Sequence, residues 1–392
     1  MSGKVSSAFP YLILLSLLFL YLYSNYVSNG GNEARIVSPV CDLFHGRWEL
    51  FRSPSPSMYD ESCPFHRHAW NCLRNKRKNI DIINSYQWRP YDCSLERIEP
   101  HKFLNLMRNK NIGFVGDSLN ENFLVAFLCA LRVADGDAKR WKRKGAWKGA
   151  YFPNFNVTVG YHRAVLLANY EWQPKESSAI DDNRRGTYRV DVDIPAKEWI
   201  NIKNFYDVLV FNTGHWWNED KFPKETPLVF HRGGKPISPP LDMLSGLEIV
   251  LENMILYVEK EFPRRTLKFW RLQSPRHFQG GDWNQSGSCL FDEPLKEEEL
   301  DMWFDARNNG VNKEARLLNR VIERKLKGRS FTVLDLTHLS EFRADAHPAI
   351  WLGKEDAVSV WGQDCMHWCL PGVPDTWVDI LSEMITTAIK DR

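Results

Sequence analysis

Asn111-Ile112-Gly113-Phe114-Val115-Gly116-Asp117-Ser118-Leu119 is the stretch on which the fold turns. A short apolar run stops at Gly-Asp-Ser, and amphipathic spacing takes over from Leu119 to Leu131. The run predicts a buried strand and the spacing a helix. A strand that turns sharply into a helix presents its turn residue at the carboxyl edge of the sheet, where open α/β folds place their sites. Ser118 then opens the helix, whose unpaired N–H groups and positive dipole end suit a developing oxyanion. A serine so placed is a candidate nucleophile.

Working outward, strand-like runs recur at Ile112–Val115, Tyr206–Phe211, Leu267–Leu272 and Phe331–Leu336. Helical spacing recurs at Leu119–Leu131, Leu244–Phe262, Glu297–Leu326 and Trp377–Ile389. Strands alternating with helices predict an α/β fold, a parallel sheet covered on both faces. No internal repeat is evident. The basic run from Lys139 to Lys148, interleaved with Trp141 and Trp147, reads as a solvated loop, with contact to an anionic polymer as the alternative.

The N-terminal part differs. Residues 1–8 form a short tail, and 9–27 are almost wholly apolar, with Ser16 the one polar residue between Tyr11 and Tyr23. That approaches the lower limit of about 17 apolar residues for a spanning helix. Lys4, the sole charge ahead of it, favours a cytosolic N-terminus. A cleaved signal peptide competes, but no convincing small-x-small site follows. Both readings send the chain into the secretory pathway, and a short anchor suits thin early secretory membranes. Residues 28–40 read as a short stem, 41–100 as a cysteine-bearing, loop-rich lobe, and 101–392 as the α/β domain.

The eight cysteines agree with an oxidising lumen. Five lie at or before Cys129 and three at or after Cys289, so complete pairing forces at least one bridge between the two ends. No Cys-x2-Cys pair occurs, so no metal site is expected. Two sequons, at Asn156 and Asn284, are usable if exposed. The net charge of +2 argues for neither nucleic acid nor an acidic partner. Sixteen Trp and 22 Phe supply rings for a core and for sugar-stacking surfaces.

A serine nucleophile needs a base and an orienting acid. Asp364-Cys365-Met366-His367-Trp368-Cys369 offers both: Asp364 can hold one nitrogen of His367 and leave the other free for the serine proton. Flanking cysteines would pin that loop. Asp345-Ala346-His347-Pro348 is a rival dyad, ranked second as wall or substrate contact. Beyond the Ser118 N–H, Asn212 in Asn212-Thr213-Gly214-His215-Trp216-Trp217 closes an apolar run and is a candidate oxyanion donor. Trp216 or Trp217 could form a sugar platform, and His215, Arg271 and His277 complete the candidate substrate contacts.

Taken together these segments resemble the plant trichome birefringence-like family of polysaccharide O-acetyltransferases, itself similar to the SGNH/GDSL esterases. The matching pieces are Cys41 through Trp48, Trp88-Arg89-Pro90 through Cys93, Gly116 through Leu119, Asn212 through Trp217, Ser274 through Phe278 to Cys289, and Asp364 through Gly372. The resemblance implies a single-pass type II Golgi membrane protein with its catalytic domain in the lumen. It implies O-acetylation of a cell-wall polysaccharide (xylan, mannan, xyloglucan or pectin) by a triad of Ser118, His367 and Asp364. Where the family often has Arg-Asn-Gln after Gly-Asp-Ser-Leu, this chain has Asn120-Glu121-Asn122, and the long stem of many members is nearly absent. Both departures leave the acceptor open. With no nucleotide fingerprint, no bound cofactor is expected, and the acetyl donor, or a membrane protein supplying it, stays unnamed. An acetylesterase with the same triad and a non-catalytic polysaccharide-binding protein are the alternatives.

Overall fold

The computed structural model describes residues 41–51, 57–142, 147–175, 186–282, 285–308, 312–350 and 363–392. The chain divides after Asp42, and every helix and strand set out below lies in the unit Leu43–Arg392. Among the described residues no helix is long and apolar enough to cross a membrane. The expected tail, span and stem over 1–40 lie outside them.

Among the described residues the first elements are β1 (Gly46–Leu50), a short helix α1 (Ile80–Ser85) and β2 (Tyr86–Pro90), with β1 and β2 paired antiparallel. After α2 (Pro100–Leu106) come β3 (Asn111–Gly116) and α3 (Ser118–Arg132), the strand and helix predicted around Ser118. Then follow β4 (Lys139–Lys142), β5 (Trp147–Phe152), β6 (Val157–Arg163), β7 (Ala168–Pro174), β8 (Gly186–Pro195) and β9 (Val208–Phe211). The rest runs β10 (Leu228–Arg232), β11 (Lys235–Pro236), α4 (Met243–Glu261), β12 (Leu267–Arg271), α5 (Glu297–Phe304), α6 (Glu314–Leu326), β13 (Thr332–Leu334), α7 (Thr337–Glu341) and α8 (Val373–Lys390).

A seven-stranded sheet in the order β13-β12-β9-β3-β6-β5-β4 holds the molecule together. Its strands from β13 to β6 pair in parallel, and β5 and β4 continue it antiparallel. Alternate residues of the parallel strands enter different cores, because a strand's side chains point to opposite faces. Ile112, Phe114, Val208, Val210 and Phe269 pack with α3 and α8. Val115, Leu209, Phe211 and Trp270 pack with α4 and α6. Both faces are covered, as the alternation of strands and helices predicts.

Three expectations are corrected. In the basic run from Lys139 to Lys148 the described residues are strand rather than loop, belonging to β4 and β5, which pair antiparallel at the sheet edge. Residues 297–326 form two helices, because Asp305 leaves the helical region (φ −84°, ψ 124°) and binds Arg307 by its backbone and guanidinium. A second sheet, β11-β10-β8-β7, was not foreseen. Its strands mix buried, half-buried and exposed positions without regular alternation, so their apolar period is weak.

Disulfides join Cys63 to Cys129, Cys72 to Cys369 and Cys289 to Cys365, and Cys41 and Cys93 are also disulfide-bonded. Cys72–Cys369 is the bridge between the two ends that the cysteine distribution requires. Asn156 is exposed, whereas Asn284 lies outside the described residues.

Candidate active site

The turn into α3 is built by glycine and two amides. Gly116 has φ +147°, a conformation that side chains disfavour, and an added Cβ would collide with Oδ1 of Asn212. β3 and β9 are neighbours in parallel register, with Val115 opposite Phe211, so Asp117 and Asn212 emerge side by side. The Asp117 N–H donates to Asn212 Oδ1 (3.1 Å), and Asn212 Nδ2 donates to Asp117 Oδ1 (2.7 Å). Asp117 also caps α3 by accepting from the Leu119 N–H at 3.0 Å.

α3 is buried almost throughout, and its three polar residues after Leu119 each have a task. Asn120 donates to the carbonyls of Val115 and Val210, clamping β3 to β9. Glu121 accepts two bonds of 2.7 Å from Arg67. Asn122 exchanges two bonds with the Trp368 backbone, tying α3 to the loop that carries His367.

That loop closes the constellation. His367 Nε2 lies 2.9 Å from Ser118 Oγ, across 249 residues of chain. Asp364 holds Nδ1 of the same ring, with Oδ2 at 2.9 Å and Oδ1 at 3.1 Å. The backbone N–H groups of Met366 and His367 donate to Asp364 Oδ1. Burial works to raise the Asp364 carboxyl, but His367 and these donors outweigh it and leave it below its ordinary value. Asp364 therefore stays ionised and keeps Nδ1 protonated, which leaves Nε2 free to accept the Ser118 proton.

Neighbouring parts pin the loop. Cys365 is bonded to Cys289 and Cys369 to Cys72, so each side is anchored to a different segment. The Leu370 N–H donates to the Trp70 carbonyl, and the Trp70 ring lies on His367 with centroids 4.9 Å apart.

The rival dyad does not form. Asp345 faces Arg343, which binds both its oxygens at 2.9 Å, because the fully buried carboxylate needs a cation. His347 turns the other way, to the His367 carbonyl and to His277.

Among the other expected contacts, Trp217, Arg271 and His277 are buried and occupied by the protein, so they shape the site from behind. Trp217 donates to Thr213 and stacks on Phe230. Arg271 donates to Ser274 Oγ and to the Leu272 carbonyl, with its guanidinium over Trp377. Burial pushes Arg271 down to about 10, opposed by Asp117 nearby. His277 bonds to His347 and to the Glu341 carbonyl. His215 and Trp216 are only half-buried. His215 Nε2 donates to the Ser274 carbonyl at 3.2 Å, and burial pushes this ring down to about 4, so it is neutral. Arg163 and Lys221 lie over the Trp216 ring.

Residues 95–384 match the GDSL/SGNH-like acyl-esterase family found in Pmr5 and Cas1p, and residues 39–94 match the PMR5 N-terminal domain. Arabidopsis thaliana protein trichome birefringence-like 12 is 70% identical over 90% of this chain and 87% of its own length. The chain belongs to the trichome birefringence-like family. A second member, trichome birefringence-like 13 of the same plant, is 43% identical over 90% of this chain and 85% of its own. Xyloglucan O-acetyltransferase 2, also from Arabidopsis thaliana, is 28% identical over 89% of this chain and 83% of its own.

In this trichome birefringence-like chain, reading the residues in order missed two contributors, Trp70 and Asn122. Trp70 sits two positions before Cys72, and only the Cys72–Cys369 bond marks that segment as a neighbour of His367. Asn122 lies one helical turn after Ser118, on the face that meets Trp368.

Proposed function

We propose that this chain transfers acetyl groups to a hydroxyl of a plant cell-wall polysaccharide through an acetyl-Ser118 intermediate. The observation that carries the reading is His367 bridging Ser118 and Asp364. His367 Nε2 takes the Ser118 hydroxyl proton while Oγ attacks the carbonyl carbon of the donor. The bond to the donor's leaving group breaks, and His367 returns the proton to that group. A sugar hydroxyl then passes its proton to the same Nε2 as its oxygen takes the acetyl group, and the proton goes back to Ser118 Oγ.

Asp364 stabilises the imidazolium in both halves. General-base catalysis of this kind contributes about 10²–10⁴-fold. The oxyanion donors in this reading are the Ser118 N–H, at a helix start where N–H groups lack partners, and the second amide hydrogen of Asn212. Half-buried Trp216 and His215 are the acceptor contacts. Similarity to a xyloglucan O-acetyltransferase supports the polysaccharide acceptor. Membership of an acyl-esterase family favours a second reading, an acetylesterase in which water replaces the sugar hydroxyl.

The proposal includes a cytosolic tail over 1–8, a Golgi anchor at 9–27, a short stem over 28–40, and in the lumen a lobe over 41–100 beside a catalytic domain over 101–392. The test is to incubate the full-length chain in detergent with acetyl-coenzyme A and, separately, p-nitrophenyl acetate, beside unacetylated xylan, mannan, xyloglucan and pectin oligosaccharides. A mass gain of one acetyl group on a glycan supports transfer. Acetate release alone, also from acetylated glycans, favours the esterase.

A further inference from the structure

Behind the catalytic loop two imidazoles form a closed chain of three hydrogen bonds. His277 Nε2 lies 2.8 Å from the Glu341 carbonyl, His277 Nδ1 lies 2.7 Å from His347 Nε2, and His347 Nδ1 lies 2.7 Å from the His367 carbonyl. Both ends of the chain are carbonyl oxygens, which only accept. Each end therefore requires an N–H, and the middle bond requires a third. Two neutral imidazoles carry two N–H groups between them. Every neutral arrangement leaves one lone pair facing another, across 2.7 Å in the middle or at His367 and 2.8 Å at Glu341. A third proton satisfies all three bonds at once.

We propose that His277 and His347 share one extra proton, giving the buried pair a single positive charge, and that this proton fixes the main chain of His367. His347 is thereby a positioning residue. It holds the His367 carbonyl, and with it the ring that must reach Ser118. This second half rests on the reading of His367 as the base.

The surroundings suit one cation. The Trp368 ring lies against His347 with centroids 4.2 Å apart and planes 32° from parallel, which offers the imidazolium an aromatic face. On the α5 side His277 meets Trp303 and Phe304, both uncharged. The charged groups facing the pair from other elements are mostly paired elsewhere. Glu341 is bound by Arg316, Asp345 by Arg343, and Arg276 turns to Asp282 and Glu314. Arg77 donates to the His347 and Asp345 carbonyls. Asp364, which holds His367, is the carboxylate whose charge also reaches His347. Burial opposes the charge and pushes both rings down, the neighbouring imidazoles of His277 and His367 push His347 further the same way, and the Glu341 and His367 carbonyls and the Asp364 charge act against it. The three short bonds decide for the proton.

The test is proton counting in the full-length chain, labelled with ¹⁵N-histidine, in detergent at pH 7. His277→Gln and His347→Gln assign the signals. Three downfield imidazole N–H resonances from the pair are expected, and two would overturn the shared proton. Kinetics tests positioning, with p-nitrophenyl acetate as substrate. His347→Gln supplies an amide N–H to the His367 carbonyl without a titrating proton. It should keep most of kcat at pH 7 and lose a decline in kcat at alkaline pH that the parent shows. His347→Phe should lower kcat by about 10- to 100-fold with little change in KM. Unchanged kcat in His347→Phe would overturn the positioning role. Full activity in Ser118→Ala would instead sink the triad reading and leave the proton count standing.

Discussion

The Trp70 ring lies on the imidazole of His367, with centroids 4.9 Å apart and planes 32° from parallel. The contact crosses from the N-terminal lobe to the loop that completes the site. Trp70 also carries the guanidinium of Arg67, which is itself held by Glu121 of α3. The segment that matches the PMR5 N-terminal domain therefore packs directly against the candidate site. Trp70→Ala should lower kcat about tenfold by letting His367 tilt, while Trp70→Phe keeps an aromatic face and most of the activity. Ester hydrolysis by the purified variants checks both, and equal rates in parent and Trp70→Ala would deny the segment a part in holding His367.

Ser118→Ala should remove at least about 10³-fold of the activity, because the proposed mechanism loses its nucleophile. Asp364→Asn should cost about 10³–10⁴-fold by freeing the wrong tautomer of His367. Thermal unfolding of Ser118→Ala should match the parent, since Ser118 Oγ bonds chiefly to His367. Trapping acetyl-Ser118 by mass spectrometry in the parent, and its absence in Ser118→Ala, completes the check.

Gly116→Ala should destabilise the protein and cripple the site together. The backbone there sits at φ +147°, and the new methyl would strike Asn212. Backbone strain of this kind costs about 1–3 kcal/mol before the collision is counted. A Tm equal to the parent's would contradict this account of the turn.

Breaking Cys72–Cys369 should affect both stability and chemistry. The bond closes a loop of 297 residues in separation, and removing a native disulfide typically costs about 2–5 kcal/mol. Cys72→Ser/Cys369→Ser should also lose activity at temperatures where circular dichroism still reports a folded chain, since Cys369 anchors the His367 loop.

Stability should fall as pH rises across the range set by two carboxyls on α8. Burial pushes Asp375 up to about 6 and Asp379 up to about 8, and Asp375 adds to the rise at Asp379. Both folded values exceed the ordinary value of 3.8, so the folded state binds more protons between the two limits. Stability is greatest below about pH 4 as far as these groups are concerned, falls up to about pH 8, and then levels off. Asp379→Asn still accepts from the Ile98 N–H and removes the half-buried charge. It should raise Tm at pH 8 and change little at pH 4, which a pair of melting curves would show.

Much of this architecture is legible in the residues because it is local. The change of apolar period at Gly116 specifies a strand and then a helix, and Asp117 and Ser118 follow at the turn by chain geometry. The spacing of Asp364 and His367 lets one loop supply acid and base. The split of cysteines between the two ends requires a bridge such as Cys72–Cys369. The antiparallel edge pair of β4 and β5 was hidden because its charged, partly exposed strands carry no clear apolar alternation.

Which acid meets which base was settled only in three dimensions. Asp345-x-His347 and Asp364-x-x-His367 look alike as sequence. Asp345 is spent on Arg343 because a buried carboxylate needs a cation, while Asp364 finds backbone donors and His367. Sheet order sets β3 beside β9, and Cys72 and Cys289 hold the far loop over that edge, so Ser118 and His367 meet across 249 residues. Local chemistry made Ser118 a candidate. Long-range packing, which no spacing along the chain encodes, gave it its base, the ring of Trp70 behind that base, and the imidazole pair behind both.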